Sequence, residues 1–384
     1  MKFFTPEILS NPYTAFAQWR AETPIWQDSE TGAWILSRHE DVRAVLKNSE
    51  AFSSKAMGGD AGPLPLLADD PPRHTQLRGI VNKAFTSSRL KLIEADIDRI
   101  AAELVQGIES GSSIDVVKAL TTPLPVAVIA QMMGIPRERG DDFKRWSDAL
   151  TGTLAGASMA EREVEIGEMY GYFQSLMDER RAGQGEDLIS AVVQAEFEGE
   201  RLEDAEAVGF CMLLLIAGNE TTTNLLGNLL NVLADQPKLY EQLVASPELI
   251  DRAIEETLRF DGPVQFLRRR LTGDAEFHGH KLTAGEVVHV IMGSANRDAE
   301  VYERPDEFLL TRDKNHHHTF GFGIHFCIGA PLARLEAKIA LQHLLKRFPV
   351  MRRGSGHNER VPSHLLRGFH HLSLCFEQNP SQEV

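Results

Sequence analysis

The chain has 384 residues, 42% of them hydrophobic and 25% charged, with a formal net charge of -15. This balance is that of an ordinary soluble globular protein, and the acidity excludes a general nucleic-acid binder, which needs a basic face for phosphates. Cys211, Cys327 and Cys375 are too few and too far apart for a disulfide framework, which points to a reducing cytoplasm.

The length allows either two domains or one unusually large unit. At the N-terminus, MKFFTPEILSNPYTAF has no continuous apolar core or cleavage site, so no leader is expected. TPIWQDSETGAWILSRH then carries two β-prone runs around a Ser-Glu-Thr-Gly turn, predicting a hairpin. HTQLRGIVNKAF places His74 and Arg78 four residues apart on one helix face. A longer helical pattern starts near Leu202, runs through FCMLLLIAGNETTTNLLGNLLNVLADQ and stops at Pro237. Its most apolar part, residues 208–217, is shorter than the roughly 20 residues that span a bilayer, so no membrane anchor is expected.

Ser246-Pro247-Glu248 predicts a capped helix start, and the helix continues through LIDRAIEETLRF to a stop at Asp261-Gly262-Pro263. Short strands are expected between Val264 and Met292, with turns at Thr272-Gly273-Asp274, Gly279 and Ala284-Gly285. In FLRRRL, alternation sends Arg268 and Arg270 to one face and Arg269 to the other. PLARLEAKIALQHLLKRF, from Pro331, is helical by period. The fold class is therefore mainly α with small β-sheets, with no repeat or linker.

One stretch stands apart from this plain pattern. In FGFGIHFCIGAPLAR, Cys327 sits among Gly321, Gly323 and Gly329 just before a helix. A free cysteine is most often a small buried hydrophobe. Here the glycines let the backbone approach a flat or bulky group, and the helix start favours a thiolate, which is a metal ligand. Zinc held by His316, His317, His318, His325 and Cys327 is the rival to a flat cofactor. It is the weaker of the two, because structural zinc sites bring paired ligands from two segments.

FGFGIHFCIG resembles the cysteine-ligand loop of the cytochrome P450 family, with Phe320, Gly321, Gly323, His325, Cys327 and Gly329 on motif positions. AGNETT, residues 217–222, resembles that family's oxygen-activation motif. Glu256-Thr257-Leu258-Arg259 matches its ExxR signature, and HTQLR its propionate-binding helix. The resemblance covers nearly the whole chain and implies one large helix-rich domain over residues 1–384. It also implies haem b as cofactor, with its iron bound by Cys327, and O2 as co-substrate. Ala217 and Gly218 would line the haem, Thr221 would hydrogen-bond the bound oxygen and Glu220 would relay protons. Glu256 and Arg259 would form a buried structural pair. His74, Arg78, Arg269 and His325 would meet the propionates, which need cationic donors when buried.

Without the resemblance, Glu256 with Arg259 would read as a solvated ion pair, and Gly218, Glu220 and Thr221 as a surface kink. The family reading is a haem-thiolate monooxygenase, expected as a monomer, that inserts oxygen into a C-H bond or alkene. The chain supplies no iron-sulfur cysteine cluster, so electrons are expected from a ferredoxin or flavodoxin with its reductase, docked at basic residues including Arg334 and Lys338. A peroxygenase would not need the Glu220-Thr221 pair. The segments expected to line the substrate pocket, residues 56–67, 212–217, 264–267 and 365–366, are largely apolar and suit a lipophilic molecule.

Overall fold

A computed structural model describes residues 1–57, 65–85, 87–154, 162–183, 185, 187–194, 196, 199, 201–313 and 315–378. Its axis is the helix Asp204–Asp235, 32 residues long, or about 48 Å at 1.5 Å per residue. A capping box starts it: the Glu203 carboxylate accepts an N-H of the first turn, and Glu206 reaches back to the Glu203 N-H at 3.1 Å. Pro237, which cannot continue the ladder, opens the next helix, Pro237–Ala245. Leucines on several sides of this central helix, Leu215, Leu225, Leu229 and Leu233 among them, are 0 to 1% exposed. It is therefore a core helix rather than a surface one.

The main hydrophobic core surrounds this axis. The helices Pro123–Met132, Ile250–Phe260 and Ala330–Arg347 contribute Ile129, Ile254 and Leu341 to it. A second core, with Leu36, Val42, Val288 and Met292, lies on a five-stranded sheet. Its strand order is Ile25–Gln27, Trp34–Leu36, Val287–Val290, Leu267–Leu271, Phe52–Ser53. The predicted hairpin is there, pairing Ile25 with Leu36 antiparallel. So is the turn at Gly279, where His278 and Gly279 both have positive φ, +50° and +80°, as a tight two-residue hairpin loop requires.

Two expectations change. Ser246 makes no side-chain cap; Pro247–Leu249 forms a 3-10 turn closed by the Leu249 N-H on the Ser246 carbonyl, and the helix proper starts at Ile250. The C-terminal strands Val350–Arg353, Glu359–Arg360, Phe369–His371 and Ser373–Glu377 were not foreseen. Their pattern is masked by polar residues, and Cys375 pairs with Ser113, far away in sequence. Among the described residues no helix is long and apolar enough to cross a membrane.

Candidate functional site

The Cys327 loop is held by its own backbone. Gly321 and Gly323 have φ of +73° and +74°, where a side chain is strained. A Cβ on Gly323 would also sit 2.7 Å from the Leu46 carbonyl oxygen, so glycine alone lets the loop press on the helix His39–Lys47. The Cys327 N-H donates to the Phe320 carbonyl at 2.9 Å. The Arg334 guanidinium lies 4.5 Å from the Phe320 ring centroid, and the helix Ala330–Arg347 begins three residues after the cysteine.

Burial pushes the Cys327 thiol up, against the downward pull of the Gly329 and Ala330 N-H groups and of Arg78. The expected helix-start contribution is therefore present but outweighed in the metal-free thiol; a bound cation would reverse that balance. Cys327 is nevertheless accessible. A Cβ on Gly329 would meet only the Cys327 sulfur, at 3.9 Å, so room beside the sulfur is open.

The central helix has its own opening. Ala217 is exposed, whereas Leu213, Leu214, Leu215 and Asn219 around it are buried. Thr221 is half-buried and its hydroxyl donates to the Ala217 carbonyl at 2.7 Å; Glu220 is half-buried beside it. The missing side chain of Gly218 points at Ile129, whose Cδ1 would be 2.8 Å from a Cβ, so glycine there lets the helix pack closely on Pro123–Met132, and a larger residue would make Ile129 shift. Asn219 and Thr223 are tied to Ser147 and to the Thr121 carbonyl, at 2.5 and 3.0 Å. The helix runs unbroken through AGNETT, and Gly218, Glu220 and Thr221 are half-buried rather than solvated.

Four cation-forming side chains gather from separate segments. His74 is 2% exposed, its Nε2 has no hydrogen-bond partner, and its ring lies 4.2 Å from that of His325. His325 is pushed down to about 3 by burial and by the charges of His74 and Arg269, and its Nε2 is 2.9 Å from Ser54 Oγ. Arg78 donates to the Phe326 carbonyl at 2.7 Å. Arg269 is buried and pushed down to about 10, Arg268 is half-buried and Arg270 exposed, as alternation predicts. Among the described residues, Arg269 uses one of its five donors, on the Arg268 carbonyl at 2.8 Å. Basic groups held down by burial and by one another's charge are what two carboxylates would relieve. The propionates of a haem fit this set.

Glu256 and Arg259 are 1% exposed, so they are not a solvated pair. Arg259 meets Glu256 through two bonds of 2.8 and 2.9 Å, and its other donors reach the carbonyls of Asn296, Pro305 and Glu307. Sequence reasoning missed the third member, Arg312, whose Nε donates to both Glu256 oxygens at 3.0 and 3.1 Å, with the Leu309 N-H at 3.0 Å. Only folding brings it near, since it lies 56 residues on.

At the expected basic docking face, Arg334 and Lys338 each face an acid. Arg334 is bonded to Glu255 at 2.5 and 3.1 Å, and Lys338 to Asp251 at 2.9 Å, so each basic charge is accompanied by an acidic one. Burial pushes the Glu255 carboxyl up, but bonds from His317 and Arg334 prevail and hold it at about 2. The zinc alternative loses its ligands to other partners: His317 faces Glu255, and His318 lies 4.3 Å from the His39 ring. Among the described residues no three potential metal ligands converge. Of the expected pocket segment 56–67, residues 58–64 lie outside the described residues.

Comparison with known proteins agrees with this geometry. Residues 243–368 match the family model Cytochrome P450. Cytochrome P450 109 of Bacillus spizizenii is 38% identical over 376 residues, 94% of this chain and 91% of that protein. The solved cytochrome P450 CYP109Q5 from Chondromyces apiculatus is 38% identical and superposes with a TM-score of 0.91 over 98% of this chain and 97% of that one. CYP109E1 from Bacillus megaterium, solved in complex with corticosterone, is 40% identical, with a TM-score of 0.88 over 96% and 99%. The chain belongs to the cytochrome P450 family and is a haem-thiolate monooxygenase, with a cysteine-ligated haem iron and O2 as co-substrate.

Proposed function

We propose that the protein inserts one oxygen atom of O2 into a C-H bond or alkene of a neutral lipophilic molecule of steroid size, with electrons from a separate ferredoxin or flavodoxin and its reductase. The observation that carries this reading is the accessible Cys327 in its glycine-framed loop, with the basic cluster of His74, His325 and Arg78 beside it. When bound, the haem supplies the oxidising chemistry. The chain's own part is to supply Cys327 as ligand, hold the propionates through His74, Arg78, Arg269 and His325, and manage protons on the central helix. Ala217 leaves room there, and the Thr221 hydroxyl can exchange its Ala217 carbonyl for another acceptor while holding a water. Glu220 is the acid next in line. Phe320 and Gly329 frame the sulfur, and Gly218 keeps the helix seated on Ile129.

The substrate class rests on the apolar segments around Leu213, Ile216, Val264, Leu267 and Leu365, and on the corticosterone bound by the Bacillus megaterium relative. We assign the chain to the cytoplasm as a monomer acting as one unit over residues 1–384. The ferrous-CO spectrum tests the ligand: the parent should show the red-shifted Soret band of thiolate ligation, and Cys327→His should lose it. An unchanged band in that variant would remove Cys327 from the iron. Titration with neutral steroids should produce a low- to high-spin shift of the ferric Soret band, and saturation by fatty acids alone would overturn the substrate class.

A further inference from the structure

One acid stands inside the cation cluster without a role in the reading above. Asp70 lies just before the helix Arg73–Ala84, and its carbonyl accepts the His74 N-H at 2.9 Å. Its carboxylate faces another segment: Oδ2 accepts from Ser53 Oγ at 2.5 Å and Oδ1 from the Ser54 N-H at 2.9 Å. Both serines are buried, and Ser53 pairs with Arg270 in the sheet, beside the strand position of Arg269. The Ser54 hydroxyl makes the remaining link, 2.9 Å from His325 Nε2. One carboxylate thus ties the helix start to the sheet edge that holds His325, and its charge acts on Arg269, His325 and His74 together. Asp69, the neighbouring acid, accepts the Leu66 N-H at 2.7 Å; its charge reaches His74 as well, but Asp70 is the one that also acts on Arg269 and His325.

We propose that Asp70 and Ser54 are positioning residues of the haem site: Asp70 offsets the positive potential of the cluster and so lowers the ferric/ferrous potential, while Ser54 fixes His325. The inference rests on the assignment of the cluster to the propionates. A negative charge nearby favours the more positive ferric state, and in a buried site salt screens that charge little. Asn at position 70 can keep an acceptor for the Ser54 N-H and a polar contact with Ser53, so Asp70→Asn removes charge while retaining the bracket.

The test uses substrate-free holoenzyme and two readouts, the midpoint potential by spectroelectrochemical titration and the rate of haem transfer to apomyoglobin. Asp70→Asn should move the potential in the positive direction with haem transfer as slow as in the parent, and Asp70→Glu should keep the parent potential. Ser54→Ala should release haem several-fold faster with the potential little changed. A parent-like potential in Asp70→Asn overturns the proposal, as does the same change in both readouts for Asp70→Asn and Ser54→Ala, which would make Asp70 a structural tie alone. Should Asp70→Asn yield no holoenzyme, Ser54→Ala decides, since parent-like haem transfer in it overturns the proposal. Failure of the underlying assignment looks different: alanine at both His74 and Arg269 would then leave haem transfer as in the parent.

Discussion

Two of the places where the protein buries arginines, around Glu256 and around His74, differ in how their donors are spent. Around Glu256, Arg259 uses all five N-H donors on the carboxylate and on three carbonyls, and Arg312 closes the same carboxylate from the other side. Around His74, among the described residues, Arg269 uses one donor, on the carbonyl of its own neighbour, and His74 Nε2 has no partner. The first group is complete without a ligand and the second is not. A buried charge cluster that satisfies itself serves the fold, whereas one left with free donors is a site for something anionic.

Breaking the complete group should have the largest effect. Glu256→Ala leaves two buried guanidinium groups without their counter-charge, a loss of about 3 to 5 kcal/mol. Thermal unfolding and the yield of folded protein should both drop sharply; a parent-like melting temperature would mean that the carbonyls alone suffice. Breaking the incomplete group should act differently. Replacing His74 and Arg269 together by alanine should lower haem occupancy while leaving the melting temperature of the apoprotein unchanged or higher, since an unpartnered buried nitrogen of His74 and a desolvated guanidinium are being removed. An apoprotein destabilised as much as Glu256→Ala would erase the contrast.

The pH dependence of stability sharpens the same point, because buried groups without charged partners resist protonation. Burial first, with nearby His39 second, pushes His318 down to about 3, and burial pushes His289 down to about 4. Their folded values lie below the unfolded value of about 6.5, so the unfolded chain binds more protons as pH falls. The stability they contribute is full above about pH 6.5 and is lost as pH drops toward 4 and then 3, at about 1.4 kcal/mol per pH unit for each histidine. Urea midpoints of the apoprotein between pH 6.5 and 4.5 should show this slope, and His318→Phe should remove one histidine's share. A slope unchanged in that variant would place the acid sensitivity elsewhere.

The smallest structural effect belongs to Thr221. Its hydroxyl bond to the Ala217 carbonyl is a local one along the helix, so Thr221→Ala should shift stability by no more than about 0.5 kcal/mol and keep haem and the CO spectrum. Its effect should be on coupling: reducing equivalents should still be consumed, with more leaving as hydrogen peroxide and less as oxygenated product. Coupling equal to the parent's would make the alcohol dispensable and move proton delivery to another donor.

The sequence alone determined the parts of this protein whose physical cause is local. Helix periodicity, the proline and Asp-Gly-Pro stops, and the hairpin between Ile25 and Leu36 follow from spacings within a few residues, as do the glycines at positions 321 and 323. The alternation that buries Arg269 is equally local, though only the sheet shows which face of FLRRRL is inward. What tertiary structure decided is pairing across long separations. Arg312 completes Glu256 from 56 residues away, Glu255 and Asp251 pair with Arg334 and Lys338, and Ser54 reaches His325 over 271 residues. Charge in the sequence shows which residues can pair, but a carboxylate chooses among arginines by distance and burial, and those exist only once the core has brought the segments together.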